Sequence, residues 1–239
     1  MAKSKIEWTN VTWNPVTGCS KVSSGCKNCY AEKVFNDRLA TNPKLKRYYG
    51  RKFTDVQCHE ELLELPLHWK KPRMIFVNSM SDLFHEKVPF EFIDKIFRMM
   101  YETPRHTYQI LTKRAERMLE YQLSRAMNIV IENVWFGVSV ENQKTADERR
   151  EYLRQVPATV RWVSYEPALE KVNWKGWEFL DWLVVGGESG PKKRPCDLEW
   201  FRYSRDWAEA YNVKFFMKQV DKVQPIPKDL HIREYPNVR

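Results

Sequence analysis

Met74-Ile75-Phe76-Val77-Asn78-Ser79-Met80-Ser81-Asp82 is a short apolar run that ends abruptly in amides, hydroxyls and a carboxylate. A compact apolar run with polar flanks reads as a buried strand. Phe90 to Met100 follows, and Ile93, Ile96 and Phe97 between them give it the stripe of an amphipathic helix. Strand then helix makes one βα unit, and the unit recurs along the chain. Towards the C-terminus, Thr107–Leu111 reads as a strand, and Ala115, Met118, Leu119 and Leu123 mark the helix after it. Val134–Val140 is a strand before a charged helix over 144–155; Arg161–Tyr165 and Trp182–Gly186 are strands. Leu198–Tyr211 is helical and Val213–Met217 is the last strand. The stretch between Tyr165 and Asp181 is too short and Trp-rich for a full helix. Towards the N-terminus, Val11–Val16 makes a short first strand that Pro15 confines to an edge or an end. Tyr30, Val34, Phe35 and Leu39 place a helix from Lys27, and Asn42-Pro43 stops it. Strands alternating with helices define an α/β protein with a parallel sheet. No linker and no internal repeat divides it, so residues 1–239 are expected to form one domain, with 221–239 a proline-containing loop tail.

In an α/β barrel the chemistry sits at the C-terminal ends of the strands. Here those ends are polar in turn: Asn78 to Asp82, Thr112-Lys113-Arg114, Ser139-Val140-Glu141-Asn142, Ser164-Tyr165-Glu166-Pro167, Gly186-Gly187-Glu188-Ser189-Gly190 and Lys218-Gln219. One pocket lined from these ends is expected. The glycine pair before Glu188 lets a ligand approach the backbone, but the stretch matches neither a Walker loop nor a dinucleotide fingerprint.

Between the first strand and first helix lie Cys19, Cys26 and Cys29, spaced C-x6-C-x2-C, with Gly18 and Gly25 beside two of them. Three thiolates in so short a span repel unless a positive centre holds them, which points to a metal site. A structural zinc asks for a fourth protein ligand, and a cubane cluster ordinarily takes four cysteines. With three, one corner stays open to a substrate or cofactor. Cys196 is a candidate fourth ligand; Cys58, His59 and His85 are candidate ligands or acid–base groups, although isolated residues of these types are more often structural.

The 43–56 segment reads as a basic aromatic insertion: Lys44, Lys46, Arg47, Arg51 and Lys52 interleave with Tyr48, Tyr49 and Phe53. Cations for phosphates and rings for bases suit nucleic acid. The alternative is a solvated connector whose aromatics dock on the body. The net charge of +9 favours polyanions in the same direction. With 43% hydrophobic residues and ten tryptophans, the chain has ample material for a core. No apolar leader and no membrane-spanning run are seen, and five cysteines in clustered spacing do not make a disulfide framework. A soluble protein of a reducing cytoplasm is expected.

Trp8-Thr9, Thr12-Trp13-Asn14-Pro15-Val16-Thr17-Gly18-Cys19, Gly25-Cys26-Lys27-Asn28-Cys29-Tyr30-Ala31-Glu32, Ser79-Met80-Ser81-Asp82-Leu83-Phe84, Leu111-Thr112-Lys113-Arg114 and Gly186-Gly187-Glu188-Ser189-Gly190 together resemble a phage- and prophage-associated three-cysteine family related to the radical S-adenosylmethionine superfamily. The resemblance spans residues 6–220 and implies a partial (βα)6 TIM-type barrel. It also implies a [4Fe–4S] cluster on Cys19, Cys26 and Cys29, with S-adenosylmethionine at the open iron. Two features depart from the superfamily pattern. The first cysteine gap is six residues instead of three, with an aromatic, Tyr30, after the last cysteine rather than before it. The Gly-Gly-Glu follows a late strand instead of the second. By strand order, Asn78, Ser79, Ser81 and Asp82 would then meet the cofactor's amino group, Ser139, Glu141 and Asn142 its ribose or methionine, and Glu188 the substrate or ribose.

The expected activity is hydrogen abstraction by a 5′-deoxyadenosyl radical, on nucleic acid or else on a protein or small molecule. An electron donor of flavodoxin or ferredoxin type is implied, and the short barrel leaves room for a partner protein that caps and completes the site. The competing expectation is a non-enzymatic nucleic-acid-binding module stabilised by zinc.

Overall fold

A computed structural model describes residue 4, residues 6–124 and residues 130–237. Residues 1–3, on which the reading of a leader partly rests, and the last two residues of the tail lie outside the described residues. The strands in chain order are β1 (Val11–Trp13), β2 (Val16–Thr17), β3 (Gln57–Cys58), β4 (Met74–Val77), β5 (Thr107–Thr112), β6 (Val134–Val140), β7 (Val160–Tyr165), β8 (Trp182–Gly186) and β9 (Lys214–Gln219). The short β2 and β3 form an antiparallel ribbon of their own. The other seven form one parallel sheet in the order β1-β4-β5-β6-β7-β8-β9. A doubly wound sheet reverses its strand order part-way; this one never does, which is how a barrel wall is built. The wall is a curled half-barrel of seven strands, as many as the apolar runs marked and one more than the (βα)6 barrel that the resemblance implied.

Alternation along the strands sorts side chains between two cores. Ile75 and Val77 of β4, Leu183 and Val185 of β8, and Phe215 and Met217 of β9 face outwards into the main core. The helices α2 (Phe90–Glu102), α3 (Ala115–Leu123), α4 (Gln143–Gln155) and α5 (Leu198–Ala210) flank the sheet. On α2 the buried residues Phe92, Ile93, Ile96, Phe97 and Met100 recur at helical spacing. Asn142 closes a capping box on α4, and the Asp197 side chain caps α5. Phe76, Trp135, Trp162, Trp182 and Phe216 face inwards and, with Trp8, form a second, aromatic core. Trp162 lies 5.2 Å from Trp8 and 5.3 Å from Trp182, centroid to centroid. Gly137 makes room for it, because a Cβ there would sit 2.4 Å from Trp162 Cε2. Two residues beyond Phe76, Trp162 and Phe216 the inward positions become Asn78, Ser164 and Lys218. The aromatic plug thus closes one end of the half-barrel and leaves a polar cup at the strand ends.

Three elements depart from the expected pattern, and a fourth follows it. Pro15 ends β1 at Trp13, and the chain resumes pairing only at β2. The first helix starts late: a single 3-10 turn covers Ser24–Cys26, α1 spans Tyr30–Val34, and a π-helical turn (Phe35–Leu39) follows. The tail is more than a loop. Met217 N–H donates to Ile232 O and Glu234 N–H to Phe215 O, both at 2.9 Å, so the tail satisfies part of the β9 edge. Between β7 and β8, as the Trp-rich stretch implied, no helix forms, and buried Trp174 and Trp177 fill the space.

Candidate functional site

A cavity of about 290 Å³ opens at the strand ends, with Trp8, Phe76 and Leu111 on its apolar side. Cys19, Cys26 and Cys29 all line it as free thiols. Backbone geometry fixes the loop that carries them. Gly18 has φ +88°, and a Cβ there would sit 2.3 Å from Asp55 O, so no other residue fits. Cys19 N–H donates to Phe53 O at 2.8 Å, and Gly18 N–H to Met80 O at 3.1 Å. Gly25 lies directly over Glu141, whose Cγ is 2.4 Å from where a Cβ would be.

One strand-end carboxylate grips the loop near each cysteine. At the first, Asp82 accepts from Thr112 Oγ1 at 2.7 Å, Phe84 N at 3.0 Å, Lys113 N at 3.1 Å and Arg114 Nη1 at 3.3 Å. Arg114 carries that grip to Cys19 Sγ at 3.7 Å and Ser20 Oγ at 2.9 Å. Burial, assisted by Asp82, pushes the Cys19 thiol up to about 11, and Arg114 acts against them. At the second, Glu141 Oε1 accepts from Ser23 Oγ at 2.7 Å, and Ser23 Oγ lies 3.9 Å from Cys26 Sγ. Burial pushes the Glu141 carboxyl up, but Lys113 and Arg149 outweigh it and hold the group below its ordinary range. At the third, Glu188 Oε2 accepts from Asn28 Nδ2 at 2.8 Å, and Arg194 binds it through Nη2 at 2.5 Å and Nε at 3.0 Å. Arg194 Nη1 also donates to Ser24 O at 3.0 Å. These hydrogen bonds overcome the burial of Glu188 and lower its carboxyl.

The residues expected to meet a cofactor therefore divide. Ser79 Oγ donates to Asn14 Oδ1 at 3.1 Å and Ser81 Oγ to Val16 O at 2.9 Å, so both hydroxyls brace the segment before the cysteine loop. Asp82 and Glu188 line the cavity but spend their acceptors on protein donors. Glu141 and Asn142 are not in the cavity lining; Asn142 Oδ1 accepts from Thr145 N at 2.9 Å, and its Nδ2 donates to Ser24 Oγ at 3.3 Å. Ser139 and Asn78 remain on the wall. Asn78 Nδ2 and Gln219 Oε1 are buried there without a hydrogen-bond partner, a donor and an acceptor suited to a polar ligand. Glu166 and Lys218 pair at 2.9 Å in the same wall. Sequence reading passed over Arg194, which no motif marks. Asn28 and Arg114 sit inside quoted motifs but carried no assigned role.

The weaker candidates are structural. His59 Nε2 meets Thr17 Oγ1 at 2.7 Å, and burial first, then Arg47, lowers its pKa to about 4. Lys87 N–H donates to His85 Nδ1, so His85 Nε2–H is the donor to Ser20 Oγ at 2.9 Å. Cys58 and Cys196 pack against the main core and do not line the cavity. Among the described residues no three His, Cys, Asp or Glu side chains converge to hold one ion. A zinc centre on the three cysteines and a fourth ligand is thus not preassembled.

The basic segment divides as well. Arg51 Nε binds Asp55 at 2.9 Å while its Nη1 donates to Thr17 Oγ1 at 3.1 Å. Tyr48 packs on Phe35 at 5.6 Å, and Arg47 pairs with Glu61 at 2.8 Å. These residues strap the base of the cysteine loop. Lys44, Lys46, Tyr49 and Lys52 are exposed.

Fold and site together define an α/β half-barrel protein with a three-thiol loop across a cavity at its strand ends. The chain belongs to the family described as "Protein of unknown function (DUF5131)", which matches residues 3–232. Among curated proteins none matches the chain. Two solved structures are similar in fold. A point mutant of spore photoproduct lyase aligns over 86% of this chain and 75% of its own, at 10% identity and a TM-score of 0.49. The lyase complexed with dinucleoside spore photoproduct aligns over 85% and 74%, at 11% identity and 0.44. No helix of the described residues is long and apolar enough to cross a membrane.

Proposed function

We propose that this chain is a radical S-adenosylmethionine enzyme whose iron–sulfur cluster is held by Cys19, Cys26 and Cys29. The observation that carries the reading is the set of three free thiols on one braced loop lining one cavity. That donor set fits a cubane with one open iron, since a cluster spreads its thiolates over separate irons instead of gathering them on one ion. A cluster bound there, with S-adenosylmethionine at the open iron and one electron from a flavodoxin- or ferredoxin-type donor, would supply a 5′-deoxyadenosyl radical for hydrogen abstraction.

The chain's own residues do the rest. Trp8, Phe76 and Leu111 keep water from the apolar side of the cavity. Asn78 Nδ2 and Gln219 Oε1 offer an unfilled donor and acceptor to the cofactor or substrate. Exposed Lys44, Lys46 and Lys52, with Tyr49, support a polyanionic substrate, and nucleic acid is the class we favour. The test is anaerobic reconstitution with iron and sulfide, followed by S-adenosylmethionine and dithionite. Formation of 5′-deoxyadenosine that is lost in Cys26→Ala is expected. A colourless protein that retains zinc and forms none would overturn the proposal.

A further inference from the structure

Among the described cations around the cysteine loop, Arg114 alone has a hydrogen bond to a sulfur. Arg149 and Arg194 pair with the carboxylates Glu141 and Glu188, and beyond these they reach the carbonyls of Ser139 and Ser24. The Arg114 guanidinium has five N–H groups, and the structure gives them five acceptors. Nε donates to Glu86 Oε2 at 3.1 Å. Nη1 donates to Asp82 Oδ2 at 3.3 Å and Cys19 Sγ at 3.7 Å. Nη2 donates to Ser20 O at 3.3 Å and Ser20 Oγ at 2.9 Å. The side chain is only 9% exposed, so its charge acts on the sulfur with little water between.

We infer that Arg114 is a positioning residue that sets the reduction potential of the cluster through Cys19. The inference rests on the cluster reading above. A hydrogen bond and a positive charge at a ligating sulfur stabilise the more negative, reduced state, and the potentials of iron–sulfur clusters follow such contacts. Asp82 opposes this, because its carboxylate lies against the same guanidinium. The device is asymmetric: it acts at Cys19, whereas the described hydrogen bond of the Cys26 sulfur is with the Ser23 hydroxyl.

The experiment uses the full chain, reconstituted anaerobically, and measures the midpoint potential by dye-mediated titration followed by electron paramagnetic resonance. Iron content and circular dichroism are recorded for each variant. Arg114→Gln should carry wild-type iron and titrate at a more negative potential. Arg114→Lys keeps the charge but loses the fork, and should fall between. Asp82→Asn should move the potential the opposite way. Should Arg114→Gln fail to fold or load, the opposed shifts of Arg114→Lys and Asp82→Asn carry the test. Loaded variants that titrate with wild type, or that all shift in one direction, overturn the inference. Wild type that takes up no iron instead removes the cluster reading, so the two failures are distinguishable.

Discussion

His59 is a buried histidine whose neutral form the fold prefers, and this makes stability depend on pH in a defined window. Its ring nitrogen Nε2 meets Thr17 Oγ1 at 2.7 Å, two residues before Cys19. Burial is the main cause that lowers its pKa from 6.5 to about 4, with Arg47 adding to it. The folded state therefore binds the proton less readily than the unfolded chain. Its contribution is fully present above 6.5 and is lost as pH falls towards the folded value. At 1.36 kcal/mol per pH unit, the loss between about pH 7.5 and about pH 4 comes to roughly 3 kcal/mol. That is a large share of the roughly 5–15 kcal/mol that holds a typical domain together. Urea unfolding of wild type and His59→Gln at both pH values measures it. Glutamine can still bond Thr17 but does not titrate. Glu141 and Glu188, whose carboxyls are lowered, lose their own contributions as pH falls below the ordinary carboxylate range. They do so equally in both proteins, so the difference reads His59 together with its 3.7 Å contact to Glu61. Wild type should lose about 3 kcal/mol more than the variant over this range; parallel pH profiles would refute the reasoning.

Two further outcomes are expected. Arg194→Met leaves the Glu188 carboxylate, 5% exposed, without its cation, and should cost about 3 kcal/mol in urea unfolding. Glu188→Gln added to it should recover part of that loss, and a double variant as unstable as the sum of the two singles counts against the pairing. Lys44→Gln, Lys46→Gln and Lys52→Gln together should weaken single-stranded oligonucleotide binding and flatten its log–log salt slope by about 2. An unchanged slope removes this segment from the interface.

The fold was legible where periodicity is clean. Val134–Val140 and Trp182–Gly186 are recovered to the residue, and α2 and α5 to within two residues at either end. The alternation of Ile75 and Val77 against Phe76 carries its own inside and outside. The β2–β3 ribbon was not legible, because two residues paired across a long insertion leave no local signal. Nor was the pairing of the tail with β9. The site was legible in location and less so in role. Strand-end polarity marked the cup, but polarity does not say whether a carboxylate faces a ligand or a loop. Asp82, Glu141 and Glu188 share that ambiguity: Glu141 and Glu188 bond the loop side chains Ser23 and Asn28, Asp82 reaches the loop only through Arg114, and Asp82 and Glu188 also line the cavity. Arg51 shows the same limit: its charge reads as surface, while Thr17 and Asp55 hold it as a strap.

The arrangement answers an electrostatic difficulty of its own. On the proposed reading, three thiols would have to ionise to bind metal beside three carboxylates, and bare carboxylates would oppose that ionisation. Each carboxylate is paired with a cation: Asp82 with Arg114, Glu141 with Arg149 and Glu188 with Arg194. The loop is thus braced by near-neutral pairs, which fix its shape without adding net negative charge below the sulfurs. Ser23 and Asn28 convey two of the braces as neutral hydrogen bonds, while Arg114 conveys the third as a charge. The positive centre that three thiolates require is therefore supplied only in part by the described protein groups: Arg114 hydrogen-bonds the Cys19 sulfur, and the Lys21 charge acts on Cys29 and Cys26. If the proposed cluster supplies the remainder, iron loading should slow thermal unfolding of the loop more than it changes the already braced half-barrel. Native-state hydrogen exchange of the amides of 19–29, with and without reconstituted iron, reads this directly. Equal protection in both states would mean that the loop is rigid for its own sake and not for a metal.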